Sequence, residues 1–177
     1  LAGAEVELVS ALSRENILKR GLEKLSQDYD FIFIDCPPSL GLLTINGLVA
    51  ADKVLIPVQS EYYALEGLGQ LINTIKMIKG TLNPNLDIAG VILTMFDSRT
   101  NLSKDVATEL KNFFEDKLFS SIIPRSIRLS EAPSRGLTVL EYAPDSAGAI
   151  AYENLVKEII KRFEGTDSML RPNLGKD

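Results

Sequence analysis

Phe31-Ile32-Phe33-Ile34-Asp35-Cys36-Pro37-Pro38-Ser39 is the stretch on which the fold turns. Four apolar residues in a row make a run of strand length without polar alternation. Such a run suits a parallel strand buried on both faces. The two prolines stop it, and a carboxylate, Asp35, stands at its carboxyl end. Upstream, Asp28-Tyr29-Asp30 closes a segment in which Ile17, Leu18, Leu22 and Leu25 share a helical face. Ser13 is placed to cap that helix, which reaches about Gln27. Downstream, Ser39 opens an apolar segment to about Ala50.

Working outward, the chain alternates strand and helix patterns. Val54-Leu55-Ile56 reads as a short buried strand ended by Pro57. Leu65, Leu68, Leu71, Ile72, Ile75 and Ile78 mark a helix with Gly80 at its end. Ile88 to Thr94 is a third strand, and Leu102, Val106, Leu110 and Phe113 mark another helix. Ile122-Ile123 is a short strand closed by Pro124, and Thr138-Val139-Leu140 is a candidate last one. Ala151, Leu155, Ile159 and Phe163 step by four along a C-terminal helix. This alternation predicts an α/β fold with a mainly parallel sheet flanked by helices. No repeat or internal linker interrupts it, so residues 1–164 read as part of a single domain. The polar stretch 165–177, with Pro172 and Gly175, reads as a disordered tail.

The 177 residues suffice for a core, and 45% apolar with 24% charged residues is ordinary globular composition. Histidine is absent, which excludes a Ser-His-Asp triad and a histidine-ligated zinc site. The single cysteine, Cys36, excludes an intrachain disulfide or thiolate cage and agrees with a reducing compartment. No apolar run has the length of a membrane span, and no signal-peptide pattern opens the chain. With a net charge of −5, any contact with nucleic acid must come from a local basic patch.

In an open parallel sheet, ligands sit beyond the carboxyl ends of the strands. Attention therefore falls on the residues after Ile34, Ile56, Leu93 and Ile123. A carboxylate ending a buried strand is the Walker B arrangement. Asp35 there can hold Mg²⁺, directly or through water, against nucleotide phosphates. The plain alternative is an aspartate capping a turn, and the Cys-Pro-Pro-Ser continuation favours function by stiffening the exit from the site. With no histidine to activate it, Cys36 reads as a packed, inert thiol.

Asp30 to Ala51, DFIFIDCPPSLGLLTINGLVAA, closely resembles the Walker B and switch II region of ParA/Soj partitioning ATPases. Four more stretches resemble signatures of that family in the same order: LAGAEVELVSAL (1–12), IPVQSEYYALEGL (56–68), LTMFDSRTNLS (93–103) and IPRSIRLSEAPS (123–134). The resemblance covers nearly all the chain up to about Phe163. It implies a P-loop NTPase-like fold that binds ATP and Mg²⁺ and dimerises as an ATP sandwich. It also implies slow hydrolysis, non-specific DNA binding by the ATP-bound dimer, and a ParB-type partner that stimulates turnover. The implied setting is cytoplasmic and nucleoid-associated, with chromosome or plasmid partitioning as the task and no membrane partner.

No Lys-Gly-Gly-x-Gly-Lys-Thr loop occurs in these residues, nor does the family's Asp-x-Asp-Pro-Gln segment. The amides and lysines that cradle phosphates in the family are thus not among them. The chain starts at Leu1 in residues that read as mid-domain. It is expected to be the C-terminal portion of such an ATPase, with the P-loop strand missing and inactive as it stands.

The resemblance assigns Asp35 the catalytic, metal-holding role. Met95, Phe96 and Asp97 match the loop bordering the adenine, and Pro124 with Arg125 the other side of the base pocket. Simple core packing is the alternative for Met95 and Phe96. Glu61, Tyr62, Tyr63 and Glu66 match a signature near the dimer face, and a solvated helix start would look the same. From Lys117 to Leu137, Lys117, Arg125, Arg128 and Arg135 oppose one acid, Glu131, and Arg99 lies on a neighbouring strand-end loop. Family members use arginines of these loops on DNA, so Arg99, Arg128 and Arg135 are the candidate DNA contacts, against a solvated surface as the alternative. Asp145 stands where many members carry basic residues, which weakens that corner. A MinD-like positioning ATPase would need a basic amphipathic helix at its end, which residues 166–175 do not form. A nitrogenase-iron-protein-like reductase would need more cysteines. A non-catalytic interaction module is the alternative from another class.

Overall fold

The computed structural model describes residues 2–25, 28–37 and 39–167. In chain order these form α1 (Ala2–Ser10), α2 (Ile17–Leu22), α3 (Leu42–Ala50), β1 (Lys53–Gln59), α4 (Tyr62–Thr81) and β2 (Asp87–Thr94). There follow α5 (Asn101–Phe114), α6 (Ile127–Glu131), α7 (Val139–Tyr142) and α8 (Ala147–Asp167). The strands β1 and β2 pair with each other. The amide of Asp87 donates to Asp52 O and that of Ser60 to Thr94 O. Both partners advance together along the chain, so the pair is parallel, as the alternating pattern predicts. None of the described helices is long and apolar enough to cross a membrane.

The chain divides into two compact units, residues 1–55 with 65–89, and residues 56–64 with 90–177. In the first unit, α3 packs on α1, α2 and the short 3₁₀ turn Arg14–Asn16. A buried amide ties these pieces together. Asn46 donates to the carbonyls of Arg14 and Leu42, both at 2.9 Å, and accepts from the amide of Leu18 at 3.2 Å. Asn83, also buried, donates to the carbonyls of Leu48, Val49 and Ala51. It thereby satisfies carbonyls that the end of α3 would leave without partners. Leu48, Val49, Ile75, Ile78 and Leu86 form the core here.

In the second unit, residues 90–93 of β2 are buried without alternation, as a central parallel strand should be. Segment 118–124 runs alongside them, the amides of Phe119 and Ile123 donating to Val91 O and Leu93 O at 2.9 Å. Four residues thus advance against two, and the predicted strand at Ile122-Ile123 is reduced to isolated bridges. The cause is α8. Glu158 accepts the amides of Ser120 and Ser121, at 2.8 and 3.0 Å, together with the Ser121 hydroxyl at 2.8 Å, drawing the chain out of register. Arg162 completes the joint, 4.0 Å above the Phe119 ring and donating to Lys117 O. Gly90 faces this joint. A Cβ there would meet the Phe119 ring, and would lie 2.7 Å from both Arg162 and Lys117 O.

Burial alone would raise the Glu158 carboxyl. The bonds from Ser120 and Ser121 and the charge of Arg162 outweigh it and hold the carboxyl below its usual value. A depressed carboxyl contributes stability above the ordinary glutamate pKa and loses it as pH falls through the folded-state value. We expect Glu158→Gln to cost about 1–2 kcal/mol near neutral pH. Thermal unfolding of both proteins, followed from about pH 7 to about pH 3, should show the gap closing. A gap that widened in acid would contradict the assignment.

Several expectations are corrected. Residues 31–34 belong to none of the described strands, and Phe31, Ile32 and Phe33 are 46%, 39% and 72% exposed. An apolar run becomes a buried central strand only between neighbours, and the paired strands here are β1 and β2. Ser13 does not cap a long helix. It adopts φ 50° with no capping bond, and α2 stops at Leu22. Pro57 does not end its strand, which runs on to Gln59 with Pro57 on the exposed side. Among the described residues β1 borders only β2, and such an edge tolerates proline. Thr138-Val139-Leu140 is not a strand but the start of α7. Thr138 Oγ1 accepts the Glu141 amide and Glu141 accepts the Thr138 amide, a complete capping box. The helix α8 continues through Asp167, and residues 168–177 of the tail lie outside the described residues.

Candidate functional site

In the first unit, Asp35 is exposed and lines an open cavity of about 570 Å³ with Glu7, Leu8, Leu18, Ile34 and Asn46 among the walls. The helix α3 approaches this segment closely. A Cβ on Gly47 would come within 2.7 Å of Cys36 Sγ, so glycine is what permits the contact. Partial burial, and next the neighbouring Asp35 carboxylate, push the Cys36 thiol up, so it is protonated at neutral pH. This agrees with an inert thiol. Among the described residues no three metal-ligating side chains come together. The carboxylates lining this cavity are those of Asp35 and Glu7. That fits Mg²⁺, which keeps several waters and takes one or two carboxylates beside substrate phosphates.

In the second unit, the chain brings the strand-end loops after β2 and after Ile123 into contact. The Phe96 amide donates to Ile123 O and the Arg125 amide to Phe96 O, at 3.1 and 3.0 Å, with a parallel bridge between Phe96 and Pro124. Met95, Phe96, Pro124 and Arg125 thus share one place beyond the carboxyl ends of parallel strands. Met95 is 38% exposed and has φ 52°, so it is not a core side chain. Ser60 and Ser103, which fall inside the 56–68 and 93–103 stretches but received no role there, lie beneath this loop. Ser60 Oγ donates to Met95 O at 2.9 Å, and Ser103 Oγ donates to Ser60 Oγ at 3.2 Å. The readable signal was Thr100-x-x-Ser103, an N-cap at the start of α5.

Three of the four candidate arginines carry acids. Arg99 grips Asp97 through Nε and a terminal nitrogen, at 2.9 and 2.7 Å. These bonds and that of the Arg99 amide hold the Asp97 carboxyl well below its usual range. Arg125 reaches Glu61 at 3.1 Å, linking the tyrosine-rich signature to the base-side loop. Arg128 donates to Glu131 at 2.9 Å, and Tyr142 donates to the same oxygen at 3.0 Å. Arg135 has no ion-pair partner among the described residues. Pairs this exposed are worth little, so a phosphate can displace them.

A family model described as an AAA domain matches residues 1–88. The sporulation initiation inhibitor protein Soj of Bacillus subtilis is 58% identical over 159 residues, covering 90% of this chain and 63% of that protein. The chromosome-partitioning ATPase Soj of Treponema pallidum is 51% identical over 162 residues, covering 92% of this chain and 64% of that protein. The chain therefore spans less than two-thirds of the length of these relatives. Among solved structures, cobyrinic acid a,c-diamide synthase from Mycobacterium smegmatis with bound ADP and magnesium has a TM-score of 0.75 at 38% identity, covering 92% of this chain and 59% of that one. A putative plasmid partition protein from Borrelia burgdorferi bound to AMPPNP has a TM-score of 0.72 at 25% identity, covering 86% of this chain and 58% of that one.

The fold is that of the P-loop NTPase class. Within it, the chain belongs to the ParA/Soj family.

Proposed function

We propose that the protein serves as an ATP-dependent partitioning ATPase, moving chromosome or plasmid DNA in the cytoplasm as part of a ParB-stimulated cycle. The observation that carries this reading is the contact of the 95–97 and 123–125 loops beyond parallel strand ends, the place where such sheets bind ligands. Relatives 51% and 52% identical are named for chromosome partitioning, against 38% for the synthase, so partitioning is preferred over amide synthesis.

In this reading Met95, Phe96 and Pro124 flank the adenine, with Asp97 and Arg125 at the edge. Asp35 would hold Mg²⁺, which would supply neutralisation of phosphate charge. The ATP-bound form is a homodimer that binds DNA without regard to sequence. Arg99, Arg128 and Arg135 provide phosphate contacts, which position but do not specify. Release follows hydrolysis stimulated by a ParB-type partner. Measuring Mg²⁺-dependent ATP hydrolysis by the full-length protein, with and without DNA and that partner, tests the whole; absence of hydrolysis under all conditions favours an interaction module.

Arg128→Glu should weaken binding about tenfold, alike on unrelated duplexes, and flatten the salt slope by about one to two units. ATP affinity should survive. Filter binding at several salt concentrations checks this. Unchanged DNA affinity with collapsed ATP affinity would move Arg128 to the nucleotide site.

A further inference from the structure

Ser60 and Ser103 are each only 4% exposed, polar, and without a role in the reading above. Ser60 directly follows β1 and Ser103 lies in the first turn of α5. With Thr100 they form a chain of hydroxyls. Thr100 Oγ1 donates to Ser103 Oγ at 2.9 Å, Ser103 Oγ to Ser60 Oγ at 3.2 Å, and Ser60 Oγ to Met95 O at 2.9 Å. Each hydroxyl has one proton. The Thr100 proton has two acceptors in reach, Ser103 Oγ and, at 3.1 Å, Asp97 O. The buried order Ser103, Ser60, Met95 spends each proton once and ends on a carbonyl that can only accept. Such a relay satisfies its buried hydroxyls in one direction only, and its members polarise one another.

What the relay holds is a backbone that would not hold itself. Met95 sits at φ 52°, the left-handed region that a residue with a Cβ adopts at a cost. Such a conformation persists only where the surroundings over-determine it, and it clusters at ligand clamps. Here the Met95 carbonyl is anchored by Ser60, the Phe96 amide by Ile123 O, and the Phe96 carbonyl by the Arg125 amide. The consequence is that the Met95 side chain stands partly in solvent instead of folding into the core.

We infer that the Thr100–Ser103–Ser60 relay is a positioning device that fixes the Met95–Phe96 edge against the base of a bound nucleotide, and that it acts on base binding alone. This rests on the proposed base site. The relay ends on the Met95 carbonyl, at the proposed base edge, so its loss should weaken nucleotide binding equally in ground and transition states. That raises KM and leaves kcat alone.

The test uses ATP hydrolysis and direct ATP binding by the full-length protein carrying Ser60→Ala, Ser103→Ala, both together, or Met95→Ala. Ser60→Ala is expected to raise KM and Kd for ATP about tenfold, the worth of one buried hydrogen bond, with kcat held within about twofold. Ser103→Ala should act in the same direction but less strongly, and it carries the test should Ser60→Ala fold poorly. The double variant should be no worse than Ser60→Ala, because the terminal bond is already gone. Loss of kcat and melting temperature with KM unchanged would make the relay mere packing and overturn the inference. If Met95→Ala raises KM but neither serine variant does, the base site stands and the relay falls. If Met95→Ala also leaves KM unchanged, the base-site reading fails and takes the inference with it.

Discussion

Asp35→Ala in the full-length protein is expected to lower Mg²⁺-dependent ATP turnover by about two to three orders of magnitude, the cost of losing a preorganised charge at a reacting phosphate. The reason lies in the donor set. Asp35 is exposed at the edge of the cavity beside α3, and no hydrogen bond among the described residues ties up its carboxylate. Substitution there should leave the fold intact, since exposed, untied side chains rarely matter for stability. The loss is therefore kinetic and should appear in kcat with an unchanged melting temperature. Asp35→Asn keeps the shape and removes the charge, so it should fall almost as far. Cys36→Ser is the internal control: a protonated thiol does no chemistry, and turnover should stay at the parental level. Normal stimulated turnover in Asp35→Ala would mean that the metal is held elsewhere.

The parts legible in the sequence are those where local pattern and tertiary surroundings agree. The strand predicted from Ile88 to Thr94 forms, one residue longer at its start, because an unbroken apolar run finds cover on both faces. The helix marked by Leu65 to Ile78 forms because its apolar spacing matches one buried face. The helix marked by Leu102 to Phe113 also forms, but its buried face is Ser103, Val106, Leu110 and Phe114, and the markers Leu102 and Phe113 are exposed. The contact of Phe96 with Pro124 follows from two strand-end signals and the parallel order. Where the reading missed, a partner distant in sequence decided. The bulge at Ser120 and Ser121 exists because Glu158, 38 residues away from Ser120, takes their amides. Nothing near Ile122 announces that. Thr138 is a different kind of miss: Thr138-x-x-Glu141 is a readable capping box, passed over in favour of the β-branched Thr and Val. The arginine-acid pairs were half legible. Arg128 and Glu131 lie three apart, as helix neighbours do, whereas Arg125 and Glu61 are 64 residues apart and only the fold introduces them.

A polypeptide of these 177 residues, expressed by itself, should bind a hydrophobic dye, unfold over a broad range and show no upward shift with Mg·ATP. Its weak point is the stretch that opened the reading. Phe31, Ile32 and Phe33 are 46%, 39% and 72% exposed, and their run lies in none of the described strands. Burying such a side chain in full is worth about 1.5–3 kcal/mol, so leaving three of them half in water forgoes roughly 2–5 kcal/mol. A domain holds only about 5–15 kcal/mol in all. The loss should be local. In the second unit the amides that build the core of β2 and α5 are hydrogen-bonded and buried, with Val91, Leu93 and Leu110 at or near full burial. Hydrogen exchange should therefore divide the chain, fast over residues 28–37 and slow over 90–94 and 103–112. The sequence holds no glycine-rich loop ending in Lys and Thr, so the amides that would grip phosphates are not present to transmit ATP binding to stability. Calorimetry and dye binding at matched concentration decide it. One sharp, two-state transition that moves upward with Mg·ATP, and uniform protection through residues 31–34, would show that this run is already a covered strand and that the nucleotide is held by residues not considered above.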